Sequence, residues 1–149
     1  MDQFALARAQ VTTRWVLAYI YVPFGVYHVL APEKFLPIMP PIVPSPLLVV
    51  VLTGVCEILG GIGILLGWTR RPAGALLALY ALCVWPANIY HAFAHVHVGA
   101  LPDSWWYHGP RIAFQIVLIW APLFAARLTG WPFRRTRTRA DHASRRMRS

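Results

Sequence analysis

Four apolar segments, each about as long as a bilayer is thick, constrain this chain more than any other feature. They lie at about residues 15–31, 46–67, 72–95 and 110–128. About 20 apolar residues in a helix are needed to cross a hydrocarbon core of about 30 Å. A segment in lipid must be helical, because no water is present to satisfy its backbone polar groups. The sequence therefore predicts an all-α fold, in which residues 1–131 form an integral membrane four-helix bundle.

The composition also favours lipid as the solvent. Hydrophobic residues make up 58% of the chain and charged residues 13%, whereas charged residues are about a quarter of an ordinary soluble domain. The first apolar segment is longer than a signal-peptide core, and Pro32 stands where a cleavage site would fall. We therefore expect this segment to be retained as a helix.

The positive charges predict how the bundle is oriented. Lys and Arg accumulate in cytoplasmic loops. Arg8 and Arg14 precede the first segment, whereas Arg70 and Arg71 join the second to the third. Eight more arginines lie in the last 23 residues. Both termini are therefore expected in the cytoplasm, with residues 132–149 as a disordered basic tail on anionic lipid rather than a nucleic-acid-binding arm.

Polar residues inside the apolar segments are predicted to meet in the outer half of the bilayer. Glu57 lies near mid-membrane, roughly 16 Å below the outer end of its helix at a rise of 1.5 Å per residue. The other segments contribute polar side chains to the same half: His28, Asn88, His91, Arg111 and Gln115. This convergence predicts a polar pocket that opens outward, with aromatic walls that include Trp85, Tyr90 and Phe114.

Glu57 and His91 are the candidate catalytic residues of this pocket. An ionisable side chain inside a membrane is functional by default, so Glu57 is expected to bind a ligand or to exchange a proton. The alternative is a structural role, in which Glu57 is the buried partner of Arg111 or Asn88.

His28 and His91 raise the question of a metal or haem. On facing helices they would provide a pair of ligands for a b-type haem, copper or zinc. Taken singly, each is explained as a hydrogen-bonded residue, and the interpretation we adopt has no metal site. Cys56 and Cys83 fall at equal depth on antiparallel segments. They are expected to pack as small apolar residues, with a thiol pair as the alternative.

The second segment and the loop before it suggest how the helices pack. Its glycines form two faces, one with Gly54 and Gly61 and the other with Gly60, Gly63 and Gly67. Small residues allow helices to approach closely in lipid, so close packing is expected on two sides. Residues 31–46 contain six prolines between apolar residues, and are expected to cover the mouth of the bundle.

Four stretches together resemble the DoxX family of small four-helix membrane proteins. They are HVLAPEKFLPIMPPIVP, LTGVCEILGGIGILLGWTRRPAG, WPANIYHAF and GPRIAFQIVLIW, which run from about Tyr27 to Trp120. The resemblance implies a multi-pass protein of the bacterial cytoplasmic (inner) membrane, associated with a terminal oxidase or a thiosulfate:quinone oxidoreductase. It also implies that the characteristic polar positions of the family are occupied here by Glu57, Asn88, His91, Arg111 and Gln115.

The expected function is that of a redox-associated membrane subunit whose pocket binds a quinone-like or other small amphipathic ligand. The aromatic residues would contact the ring of such a ligand, the polar residues its carbonyls, and Glu57 would exchange a proton. Any enzymatic activity would be that of a quinone-linked oxidoreductase subunit acting with a partner. The alternative is a non-catalytic scaffold or assembly subunit, whose glycine faces contact partner helices or a second copy. Transport is not favoured, because the sequence has no inverted repeat.

Overall fold

The structure is a computed structural model that describes residues 3–94, 102 and 104–133. The described residues form four long α-helices and one short 3-10 helix, and none of them is in a strand. The long helices are α1 (Gln3–Leu30), α2 (Pro46–Gly63), α3 (Arg70–Phe93) and α4 (Trp105–Ala125), and the 3-10 helix is Pro32–Ile38. The predicted all-α class is confirmed. The predicted basic tail lies outside the described residues from position 134 onward.

Each long helix packs against two of the others. α1 contacts α2 and α4, and α3 contacts the same two helices. Their shared apolar core includes Leu17, Tyr21, Ile64, Leu77 and Ala125, all of which are buried.

Glycines set the closest approaches between the helices. A Cβ atom on Gly25 of α1 would lie 2.5 Å from the carbonyl oxygen of Gly54 in α2. On the other side of α2, a Cβ atom on Gly60 would lie 2.5 Å from Cδ2 of Leu77 in α3. The prediction that α2 packs closely on two sides is therefore confirmed.

The glycine face that was expected to contact a partner is largely used within the chain. Gly60 and Gly63 are buried against α3, where a Cβ atom on Gly63 would lie 3.0 Å from Ala73. For Gly67, the third glycine of this face, a Cβ atom would have no neighbouring atom within 4 Å. The second helix therefore uses this face to pack on its own neighbour.

The helix boundaries differ from the predicted segments for identifiable reasons. α1 begins at Gln3 because Gln10 and Arg14 are buried against the end of α4, where Arg14 Nε donates to the Ala125 carbonyl at 2.9 Å. α2 ends at Gly63, whose carbonyl accepts a 2.8 Å hydrogen bond from Thr69 Oγ1. The sequence Gly109-Pro110 predicted that α4 begins at Pro110. The helix instead begins at Trp105, so that Pro110 lies inside it.

Two of the described helices, α2 and α3, are long and apolar enough to cross a membrane. α1 meets that condition only together with the 3-10 helix, from which it is bent by 95°. Membrane crossing by α1 and α4 stays a prediction from the sequence. Large apolar side chains are exposed on the outer surfaces of α2 and α3, including Leu52, Leu59, Leu76 and Leu82.

Candidate ligand-binding site

A cavity of about 440 Å³ lies between the four long helices. Each helix contributes to its wall, with Tyr21 from α1, Glu57 from α2, Asn88 from α3 and Arg111 from α4. Small-molecule sites commonly enclose about 300–1,000 Å³. The rest of the wall is mostly apolar and includes Ile20, Phe24, Val49, Val50, Val84 and Leu118.

The proline-rich segment closes one side of this cavity. It contacts α1, α2 and α3 through its 3-10 helix. Phe35, Ile38, Met39 and Val43 from this segment line the cavity. The ring of Phe35 stacks on that of His28, with the centroids 3.9 Å apart. This arrangement agrees with the expected role as a cover.

The first polar group in the wall consists of His28, Glu57 and Tyr80, and is called here the Glu57 cluster. Glu57 is 5% exposed. Its Oε1 accepts a 2.7 Å hydrogen bond from the Tyr80 hydroxyl, and its Oε2 lies 2.9 Å from Nδ1 of His28. The same Nδ1 lies 2.9 Å from the Phe24 carbonyl oxygen. Because a carbonyl oxygen can only accept, Nδ1 is the nitrogen that carries the proton, and it is held between two oxygen atoms.

Close packing of α1 on α2 is what brings this cluster together. His28 follows Gly25 by three residues and Glu57 follows Gly54 by three, so each side chain lies about one turn from the glycine contact. The antiparallel neighbour α3 then supplies Tyr80. The cluster therefore depends on three helices at once.

The second polar group consists of Asn88, His91, Arg111 and Gln115, and is called here the Arg111 cluster. Arg111 Nη2 donates to Oδ1 of Asn88 at 2.7 Å, and Nη1 lies 2.8 Å from Nδ1 of His91. A guanidinium can only donate, so Nδ1 of His91 is the unprotonated nitrogen. Asn88 Nδ2 donates in turn to Oε1 of Gln115 at 3.1 Å, and Gln115 Nε2 donates to the Ala81 carbonyl. The direction of every bond in this chain is thereby set by Arg111.

The positive charge of Arg111 has neutral partners. Among the described residues, the only contact within 4.0 Å between a carboxylate and a basic side chain joins Glu57 to His28. Besides its hydrogen bonds, the Arg111 guanidinium lies over the ring of Tyr107, 5.8 Å from the centroid. The cavity wall thus carries a cation whose charge no described carboxylate offsets.

Six of the nine predicted site residues line the cavity: His28, Glu57, Asn88, Arg111, Phe114 and Gln115. Trp85, Tyr90 and His91 do not line it, and His91 is buried, 2% exposed, behind Arg111. From the sequence, Arg111 and Asn88 were considered as structural partners of Glu57. Neither is its partner in the structure, where Glu57 contacts His28 and Tyr80. Which side chains face each other depends on the rotation of each helix about its axis, and depth in the membrane does not determine that rotation.

Two tyrosines of the site were missed from the sequence. Tyr80 lies one turn before Cys83 in α3, and Glu57 is next to Cys56 in α2. Because Cys56 and Cys83 were predicted at equal depth, the same count of residues along each helix predicts Tyr80 close to the depth of Glu57. Tyr21 gave no such signal. It is 4% exposed and lines the cavity, and its buried hydroxyl has no hydrogen-bond partner among the described residues. Buried polar groups are nearly always paired, so the Tyr21 hydroxyl is an unused donor in the cavity wall.

Among the described residues, the histidine pair and the cysteine pair considered from the sequence do not form. His28 and His91 belong to different clusters. The described residues contain no group of three or more potential metal ligands. Cys56 and Cys83 are both free and exposed, so they neither pair nor pack as buried residues.

Comparison with known proteins places the cavity within a recognised family. A model described as "Domain of unknown function (DUF8561)" matches residues 17–126, which include every residue of both clusters. No curated protein and no solved structure matches the chain.

The resemblance to DoxX was therefore wrong, since the matching family model is a different one. The quoted stretches combine glycine-rich helix faces, proline-rich connections and polar residues within apolar helices. These features meet general requirements of helix packing, and unrelated proteins share them. The oxidase and thiosulfate:quinone oxidoreductase associations depended on that resemblance and have no other support.

Proposed function

We propose that this chain, which belongs to the DUF8561 family of domains of unknown function, is an integral membrane protein that binds a small amphipathic molecule. The membrane assignment is supported by two helices of spanning length and by their exposed leucines. In this proposal all four long helices span the membrane, and both termini lie in the cytoplasm. Arg8, Arg70 and Arg71 are then on the cytoplasmic side.

The unpaired hydroxyl of Tyr21 is the observation that carries the ligand proposal. Leaving a buried hydrogen-bonding group unpaired costs about 1–3 kcal/mol. An oxygen atom of a ligand in the cavity would accept from Tyr21 and remove that cost.

Arg111 adds a second requirement on the same ligand. Its charge has no carboxylate partner among the described residues, and its side chain lines the cavity. A carbonyl or an anionic oxygen would interact favourably with this cation in surroundings of low dielectric constant. The apolar wall, which includes Phe24, Val50 and Phe114, would contact the rest of the molecule. Together these groups specify an apolar body that carries oxygen acceptors.

A quinone-like molecule has this form, with carbonyl oxygens on an apolar ring. In that case the Glu57 cluster can exchange protons with the ligand, because it places a carboxylate and an imidazole 2.9 Å apart in the cavity wall. Electrons would have to come from a partner. The scaffold alternative has less support, because the Gly60–Gly63 face on which it depended is packed against α3.

The proposal can be tested with two tyrosine variants of the full chain, purified from native membranes in mild detergent. Tyr21→Phe removes only the unpaired hydroxyl, whereas Tyr19→Phe makes the same change at an 82% exposed position on the same helix. Small molecules extracted from each protein are quantified by mass spectrometry.

We expect wild type and Tyr19→Phe to retain the same amphipathic molecule in the same amount. Tyr21→Phe should retain about threefold to tenfold less, the value of one neutral hydrogen bond. Equal retention by Tyr21→Phe and wild type, or no retained amphipath in any of the three proteins, would contradict the proposal.

A further inference from the structure

Three arginines converge at the end of the helices remote from the Glu57 cluster. Arg14 lies in the N-terminal half of α1, Arg70 begins α3, and Arg127 follows α4. Arg14 is close enough to the other two for each to repel it electrostatically. These residues are called here the Arg14 cluster.

The hydrogen-bonding capacity of this cluster is only partly used. Arg14 is 6% exposed, and its Nη2 is buried without a hydrogen-bond partner in the described part of the chain. Nε of Arg70 is unpaired in the same way. Arg127 uses its Nε to donate to Oε1 of Gln10, at 3.1 Å. Buried guanidinium donors that stay unpaired are expensive, because charged groups lose strong hydration.

The described residues provide no negative charge to offset these cations. They contain two carboxylates, and both are elsewhere: Glu57 is bonded within its own cluster, and Glu33 lies in the cover. Like charges in partly buried surroundings repel one another strongly. An anion from outside the described residues would offset this repulsion.

A second cavity, of about 700 Å³, lies beside this cluster. Its polar wall consists of Gln3, Gln10, Arg127 and Thr129. Arg14, which follows Gln10 by one helical turn, is buried and donates to the Ala125 carbonyl. Its apolar wall includes Leu6, Leu128, Trp131 and Phe133. The cavity therefore combines a cationic side with an aromatic and aliphatic one.

We propose that this second cavity binds a phosphate group, whose oxygens contact Arg127 and Gln10 and whose charge offsets that of Arg14 and Arg70. Arg is well suited to this ligand, because its planar guanidinium donates two parallel hydrogen bonds to phosphate oxygens. The phosphate is that of an anionic phospholipid or of a soluble phosphate compound. This site is separate from the amphipath cavity and does not depend on what binds there.

The test uses the full chain in detergent, with three probes added separately: phosphatidylglycerol, inorganic phosphate, and diacylglycerol, which lacks phosphate. Binding is followed by native mass spectrometry for the lipids and by thermal unfolding for all three. Arg127→Gln removes the exposed cation of the site. The matched control is Arg71→Gln, the same change at an exposed arginine that does not line the cavity.

We expect wild type and Arg71→Gln to bind phosphatidylglycerol or inorganic phosphate equally well. Arg127→Gln should bind at least about tenfold more weakly, since it loses a charge-assisted hydrogen bond, and Arg127→Lys should recover part of the affinity. Phosphatidylglycerol binding without phosphate binding identifies a lipid headgroup, and binding of inorganic phosphate with the same dependence on Arg127 identifies a soluble phosphate. Unchanged binding in Arg127→Gln, no binding of either phosphate probe, or equal binding of diacylglycerol would overturn the proposal.

Discussion

Gly25→Ala is a small change for which the structure predicts a large effect. The new Cβ would lie 2.5 Å from the carbonyl oxygen of Gly54, 2.8 Å from Cγ1 of Ile58 and 2.9 Å from Cβ of Glu57. Because non-bonded heavy atoms approach to only about 3.5 Å, α1 must move about 1 Å away from α2. Overpacking of this kind costs about 1–3 kcal/mol.

The displacement also reaches the Glu57 cluster. The 2.9 Å contact between His28 Nδ1 and Glu57 Oε2 would lengthen beyond hydrogen-bonding range, with a loss of about 1.5–3 kcal/mol for a bond to a charged group. Alanine favours a helix over glycine by about 0.5–1 kcal/mol, which offsets part of the loss. We therefore expect a fall of about 1.5–5.5 kcal/mol in the free energy of unfolding, or roughly 3–22 °C in the apparent Tm.

Thermal unfolding of the full chain in detergent, followed by tryptophan fluorescence, measures this effect. Gly109→Ala is the matched control, because Gly109 is inside α4 and a Cβ atom there has no neighbour within 4 Å. The control should unfold at the wild-type temperature or above it. If Gly25→Ala also unfolds at or above the wild-type temperature, α1 and α2 are not in the close contact described here, and the derivation of the Glu57 cluster fails.

Three further predictions concern the Glu57 cluster and the cysteines. Glu57→Gln should keep the fold but lose most of the co-purifying amphipath. Glu33→Gln, the same change at an exposed carboxylate, should retain it. Equal retention by both variants would rule out a role of the Glu57 carboxylate in binding. Tyr80→Phe leaves Oε1 of Glu57 without its donor and should lower the free energy of unfolding by about 1–3 kcal/mol; an unchanged Tm would contradict the 2.7 Å contact. In native membranes Cys56 and Cys83 should react with an apolar maleimide and not with a charged one, and a disulfide on a non-reducing gel would contradict the finding that both are free.

The sequence predicted the class of the fold better than the residues at which its helices begin and end. Apolar runs of fixed length were sufficient to identify α2 and α3, because the run itself decides whether a helix can lie in lipid. The start of α1 was not predictable in this way. Its first residues mix apolar and polar side chains and form no apolar run of bilayer length. Arg14 and Gln10 of this part of the helix contact Ala125 and Arg127, more than a hundred positions away in the sequence.

The candidate site was predicted in its residue types but not in its pairings. Depth along each helix was sufficient to bring six predicted side chains to one cavity. The partner of Glu57 depends instead on how each helix is rotated, and that rotation is determined by packing at Gly25 and Gly54. The unpaired hydroxyl of Tyr21 could be recognised only from three-dimensional contacts, because nothing in its local sequence distinguishes it from Tyr19.

The most direct test of the central claim is to fill the cavity and measure what the protein still retains. Ala87→Trp places a large side chain at a position that lines the cavity, and Ala75→Trp makes the same change at an exposed position of the same helix. Both full-length variants are purified from native membranes, shown to unfold cooperatively, and analysed for bound small molecules by mass spectrometry. We predict that Ala75→Trp retains the wild-type amount of an amphipathic molecule and that Ala87→Trp retains almost none. Wild-type retention by Ala87→Trp would contradict a ligand site in this cavity.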